Sequence, residues 1–251
     1  MNIVRVAAVM LALVIAANPR LPGAKEISGV LSARPSASVV APVSAGRHRL
    51  KAGTTLYVPA TIPAGGAAPF LLLLHGAGGT GENMIRRFKA QADRRGIILL
   101  APKAAGPTWD VASSMGNPRA PPSFGADVRR IDAVLMDAFA RVNVDPERAA
   151  VAGFSDGAST ALSIGARNAA LFRSTLAFSA GGMVPHRAGS PGRVFFSHGT
   201  KDPILPLAAM RESLAPSLAA AGFQVTFVTF DGGHELPEPV LEQAIVWWLG
   251  S

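Results

Sequence analysis

Three residues in this chain have the types and settings that nucleophilic chemistry requires. Ser155 lies in "VAGFSDGAS", between Gly153 and Gly157, after an apolar run and before a helix-like one. A serine hydroxyl attacks a carbonyl only when it is exposed, relieved of its proton and opposed by donors that hold the resulting oxyanion. A tight strand-to-helix turn supplies the exposure, small residues two places on either side let strand and helix approach closely, and the helix N-terminus faces the reacting centre. In isolation the pentapeptide is equally a glycine-rich turn with an incidental helix-capping serine. The acid in "SHGTKDPILP" is Asp202, and "DGGHE" presents His234. Each follows a strand candidate, in the order nucleophile, acid, base. In an open parallel sheet the strand C-termini gather along one edge, where three residues remote in sequence would converge.

Other residues compete for these roles. His75 and His198 each end a strand candidate before a glycine, which suits a buried structural imidazole, whereas His48 and His186 suit solvated surface. Asp231 is three residues from His234 in the same turn, where a local turn bond is the more natural role, so Asp202 is preferred as the acid. In "LLLLHGAGGTGEN" the glycines Gly76, Gly78 and Gly81 match a dinucleotide-binding spacing. However, the next strand candidate runs into Lys103 rather than an acid that would hold a ribose. As an oxyanion loop, the same glycines let the amide of Ala77 face the Ser155 turn, with the amide of Asp156 as second donor.

The elements that must position these groups follow from the hydrophobic pattern. Strand candidates are "TTLYVP" (54–59), "PFLLLLH" (69–75), "GIILLA" (96–101), "RAAVAG" (148–153), "TLAFS" (175–179), "RVFFSH" (193–198) and "QVTFVTF" (224–230). Several are apolar on both faces, as strands of a covered parallel sheet must be. Helix candidates lie near 81–95, 127–142, 156–169, 206–221 and 237–249. The alternation predicts an α/β fold, a mostly parallel central sheet with helices on both faces. Residues 102–126 hold five prolines and show no period of either kind, and loops of that length are usually functional or disordered.

The chain of 251 residues, 49% hydrophobic and 16% charged, fits one globular domain, taken here as residues 46–251. Residues 1–24 carry Arg5 and then an apolar stretch of about a dozen residues, short of the roughly 20 a membrane span needs, and read as an export signal. Their removal takes away Arg5 and Arg20 and no acid, lowering the formal charge from +8 to +6 and leaving no membrane span. Residues 25–45, rich in Ser, Ala, Pro and Gly, read as a leader or linker. The arginines are scattered over helix faces with no interleaved aromatic set, which argues against a nucleic-acid partner. With no cysteine there is neither a disulfide nor a thiolate metal site.

Taken together, "LLHGAGGTGEN", "ILLAPKAAGPTWD", "VDPERAAVAGFSDGAS", "SHGTKDPILP" and "FDGGHE" resemble the α/β-hydrolase superfamily. The closest likeness is to phospholipase/carboxylesterase-type and dienelactone-hydrolase-like serine esterases, including polyhydroxybutyrate depolymerase-like relatives. The resemblance spans about residues 69–235 and implies no large cap domain. It implies Ser155 as nucleophile, Asp202 as orienting acid and His234 as base, with the amides of Ala77 and Asp156 as oxyanion donors. Trp109 falls where relatives often have a pocket-lining tryptophan, and the implied substrate is a small ester, with short acyl chains or polyester fragments in prospect. No metal or organic cofactor is implied. A carboxylate directly after the nucleophile departs from the pattern, and the Asp156 side chain is expected to point away, toward solvent or a basic neighbour. A non-catalytic binding protein built on the same fold is the alternative.

Overall fold

A computed structural model describes residues 28–36, 39–117, 119, 122–185 and 192–250. The strands are β1 (Gly46–Arg49), β2 (Thr55–Val58), β3 (Ala68–Leu74), β4 (Ile98–Ala101), β5 (Val144–Phe154), β6 (Ser174–Phe178), β7 (Arg193–Gly199) and β8 (Gln224–Phe230). They form one sheet in the order β1-β2-β4-β3-β5-β6-β7-β8. The first two pairings, β1 with β2 and β2 with β4, are antiparallel, and the other five are parallel. The sheet is mostly parallel, as its doubly apolar strands require.

Strand period explains the layers, because alternate side chains point to opposite faces. Phe70, Leu72 and Leu74 of β3, with Ala149 and Val151 of β5, pack on one face against α3 (Ala126–Phe139) and α4 (Asp156–Arg167). Leu71 and Leu73, with Ala150 and Ala152, pack on the other against α1 (Gly81–Arg95) and α7 (Glu238–Leu249). Near β7 the first face is closed by helical stretch 207–220, which contains α5 (Leu207–Ala209), a π-turn (Met210–Leu214) and α6 (Ala215–Ala220). Helix α1 occupies the range its period predicts. Thr80 caps it by accepting from the Asn83 amide, and Gly96 ends it in the left-handed conformation.

Three local features differ from the sequence reading. Edge strand β1, "GRHR", has no apolar run to betray it and is ordered by its pairing with β2. The 102–126 stretch contains a helix, α2 (Asp110–Met115), whose six residues are too few to display a period. Strand β5 starts at Val144, ahead of Pro146, because a register shift opposite Ala68 and Phe70 accommodates the exposed residues there.

Residues 28–36, within the leader or linker range, are irregular and lie against the domain. Leu31 and Ala33 are buried in the α3/α4 face. The Leu31 amide donates to Asn168 Oδ1 at 2.8 Å, and the amides of Ser32 and Ala33 donate to Asp132 Oδ1. Residues 1–24, read as an export signal, lie outside the described residues.

Candidate active site

Ser155 stands between the end of β5 and the start of α4 with φ 55° and ψ −122°, a conformation L-residues rarely adopt and one that pushes the side chain out of the turn. Its amide donates to the Phe178 carbonyl on β6 at 2.9 Å, which fixes the turn to the sheet. The two flanking glycines are sterically required. A Cβ on Gly153 would lie 2.1 Å from the Gly157 carbonyl oxygen, and one on Gly157 would lie 2.1 Å from that of Leu74.

Asp202 and His234 reach Ser155 because the ends of β7 and β8 stay zipped beyond the ladder. Thr200 N–H donates to the Phe230 carbonyl and Lys201 N–H to that of Gly232, both at 2.9 Å. Gly199 lets the turn carrying His234 approach, since a Cβ there would sit 2.2 Å from the Gly233 oxygen. Asp202 Oδ2 is 2.7 Å from His234 Nδ1, and His234 Nε2 is 2.8 Å from Ser155 Oγ. An ionised carboxylate only accepts, so Nδ1 carries the ring proton and Nε2 accepts from the serine hydroxyl.

The Asp202 side chain has no exposed surface. Burial opposes its charge, but the Leu205 amide, the His234 ring and the Ile204 amide all donate to it and together hold the carboxyl below the usual range. His234 keeps a sliver of exposure and its ring lies 5.0 Å from that of Phe154.

On the opposite side of Ser155 lies the loop after β3. Gly76 packs on the serine, so that a Cβ there would be 3.2 Å from Ser155 Cβ, and Ala77 beside it is exposed. Asp156 is the first residue of α4, which puts its amide at the helix N-terminus. Its carboxylate is occupied by the Thr108 hydroxyl, a neutral donor rather than the solvent or basic group expected. Gly81 is needed against the Ala101 carbonyl and Gly78 sits in the left-handed region with φ 67°, so turn geometry and packing account for loop glycines that also match a dinucleotide-binding spacing.

His75 organises this loop from beneath. Its Nε2 accepts from the Ala104 amide at 3.1 Å, so the proton is on Nδ1, which donates to the Gly76 carbonyl at 2.8 Å. Burial pushes the His75 imidazole below its ordinary value, the Gly76 bond works in the opposite direction, and Lys103 adds to the lowering.

Trp109 corrects the sequence reading. Only 1% of it is exposed, its Nε1–H donates to the His75 carbonyl at 2.7 Å, and its ring lies 4.9 Å from the imidazole. The large ring is spent on the core with its polar handle satisfied, so the side chain offers no surface to a ligand.

Among the other competitors, His48 is bonded locally to the Ser44 carbonyl, and Asp231 is 75% exposed and pairs with Lys201. Position 186 lies outside the described residues. Sequence reasoning missed two contributors, Thr108 and His198. Thr108 touches the site through Asp156, 48 residues on, and His198 through a neighbour in its own strand-end loop, Leu205, that its sequence context does not single out. Among the described residues no cluster of three His, Asp or Glu side chains could hold a metal ion, and no helix is long and apolar enough to cross a membrane.

Residues 122–247 match the family model described as Phospholipase/Carboxylesterase. A protein of Nocardia uniformis subsp. tsuyamanensis named "Putative esterase NocK" is 27% identical over 183 residues, which is 70% of this chain and 48% of that protein. The chain thus spans about half the length of this curated relative. Among solved structures, esterase PE8 superposes with a TM-score of 0.59 at 24% identity, covering 78% of this chain and 98% of its own. The Bacillus cereus carboxylesterase gives 0.53 at 23%, with 73% and 88% covered. A phospholipase/carboxylesterase from Dyadobacter fermentans gives 0.55 at 23%, with 84% and 100% covered. At these identities the structural likeness speaks for the shared α/β-hydrolase fold.

Proposed function

We propose that this chain, which belongs to the phospholipase/carboxylesterase family, is a serine esterase that forms an acyl-enzyme on Ser155. The observation that carries the reading is the unbroken line of hydrogen bonds from Asp202 through His234 to Ser155 Oγ, at 2.7 and 2.8 Å. His234 Nε2 takes the hydroxyl proton as Oγ attacks the ester carbonyl. The amides of Ala77 and Asp156 receive the oxyanion, and the protonated imidazole returns its proton to the leaving alcohol. Water then attacks the acyl-enzyme with the same histidine as base, which regenerates Ser155 and releases the acid. Asp202 stays ionised throughout, its charge sustained by the Ile204 and Leu205 amides.

The preferred substrates are small esters with short acyl groups, acetyl to hexanoyl, or small polyester fragments. Two features support this. Among the described residues no helical insertion stands over Ser155 as a cap. Apolar side chains that retain exposure include Phe154 just before the serine, Ile204 and Leu205 on the acid's own loop, and Met115 at the end of α2. Leu205 and Met115 flank Gly181 and Gly182, lying 3.1 and 3.4 Å from where Cβ atoms there would sit. They replace Trp109 as the proposed acyl wall. The protein is further proposed to be exported, with residues 1–24 removed.

The test is labelling with a fluorophosphonate probe together with hydrolysis of a p-nitrophenyl ester series. Labelling at Ser155 and faster cleavage of butyrate than palmitate are expected. An unlabelled, inactive chain would instead favour a hydrolase-fold binding protein, and a preference for palmitate would overturn the short-chain reading. Mass spectrometry of the protein from its natural host is expected to show a chain lacking the apolar N-terminal stretch.

A further inference from the structure

We infer that His198 is a positioning residue for the catalytic acid, holding the carbonyl of Leu205, whose amide donates to Asp202. The inference rests on the esterase reading. His198 is fully buried at the end of β7, four residues before the acid. Its Nε2 is 2.7 Å from the Leu205 carbonyl oxygen and 3.3 Å from Asp202 Oδ2. Both neighbours only accept, so Nε2 must bear the ring proton, and it donates to the Leu205 carbonyl with the carboxylate close by. Nδ1 is buried with no hydrogen-bond partner among the described residues, which fits a neutral ring with its lone pair toward apolar surroundings. The ring lies nearly parallel to that of Phe196, 11° between planes, which sets its orientation.

A relay results: Leu205 N–H donates to Asp202 Oδ1 at 2.9 Å, the Leu205 carbonyl accepts from His198, and the His198 ring stands 3.3 Å from Oδ2. The carboxylate cannot rotate about its terminal torsion without breaking a bond at each oxygen. The loop bearing it cannot shift without moving Leu205 away from His198. His234 therefore meets an oxygen whose position is set before the substrate arrives, the kind of support a preorganised site needs.

The experiment compares His198→Leu, which removes the donor, with His198→Gln, whose amide nitrogen reaches about as far as Nε2. Steady-state kinetics on p-nitrophenyl butyrate are read beside thermal melting and the far-downfield proton resonance of the His234–Asp202 bond. For His198→Leu, kcat should fall about threefold to tenfold, the range one hydrogen bond to a neutral carbonyl commands, with KM within about twofold. The downfield resonance should move, and His198→Gln should regain most of the kcat. A His198→Leu enzyme with kcat within twofold of wild type overturns the inference. So does a loss of kcat that only follows a fall in melting temperature and is not regained by Gln. If His198→Leu does not fold, His198→Asn, whose amide is too short to reach the Leu205 carbonyl, is judged by the same criteria. Wild-type labelling at Ser155 separates these outcomes from failure of the esterase reading, and the resonance reports on the His198 contact without any turnover.

Discussion

His75 and His198 occupy matching places: each is buried, ends a parallel strand and precedes a glycine, in "LHG" and "SHG". Their work differs. His75 spends both ring nitrogens on backbone, accepting from Ala104 and donating to Gly76, so it shapes the loop that carries Ala77. His198 leaves one nitrogen unpartnered among the described residues and gives the other to the Leu205 carbonyl, with the Asp202 carboxylate 3.3 Å away. One imidazole holds the loop that carries Ala77, on the oxyanion side, and the other holds the loop that carries Asp202, on the acid side. A buried histidine is defined less by its burial than by what reaches its two nitrogens.

The largest expected effect falls where the two sides meet. Ser155→Ala should lower kcat on the order of 10⁵-fold or more, to the residue left by oxyanion donors and binding alone. Unchanged probe labelling of that variant would remove Ser155 from its role. On the acid side, Asp202→Asn should cost roughly 10²- to 10⁴-fold in kcat by misorienting the imidazole. Asp231→Asn, altering an exposed carboxylate paired with Lys201, should stay within about twofold. The reverse ranking would transfer the acid's role to Asp231.

On the oxyanion side, Trp109→Phe strands the buried His75 carbonyl. Stability measured by urea unfolding should drop by about 1–3 kcal/mol, with no change in acyl-chain preference. A changed chain-length profile would return Trp109 to the pocket wall. The smallest effect concerns acid sensitivity, where the two sides separate by pH window. His75 is held below its ordinary value of 6.5, so the unfolded chain binds a proton first as pH falls through that value, and stability declines from there down to the lowered folded value. Asp202 is depressed below 3.8, so its contribution is intact above that pH and is lost as pH falls through its folded value. His75→Gln should therefore flatten the stability curve just below pH 6.5 and leave the more acidic limb in place. Unfolding curves at a series of pH values give the comparison.

The legible part of the molecule was whatever announces itself locally. Strands such as β3 read as unbroken apolar runs, α1 carried its cap and stop, and the turns around Ser155, Asp202 and His234 were marked by their glycines. The illegible part depended on which partners the folded chain supplies. Trp109 shows apolar bulk in the sequence, but only the folded chain shows that the His75 carbonyl waits for its N–H. Thr108 becomes visible only when it meets Asp156, 48 residues on. His198 looked like His75 because strand-end context fixes burial without fixing partners. Edge strand β1 was missed for a related reason, since polar residues facing solvent carry no period and the pairing partner supplies the order.

The segment at 28–36 has a consequence for how the molecule comes together. Its anchors are Asp132 and Asn168, so the bonds that seat Ser32 and Leu31 bridge 100 and 137 residues of chain. Closing loops of that span costs entropy that is recovered only once both ends have formed. A ribosome making the chain from its N-terminus therefore issues this segment long before its anchors and sees it docked only after α4 has emerged. Until then Leu31 and Ala33 have nothing to cover, and the apolar faces of α3 and α4 beneath them stand open to water.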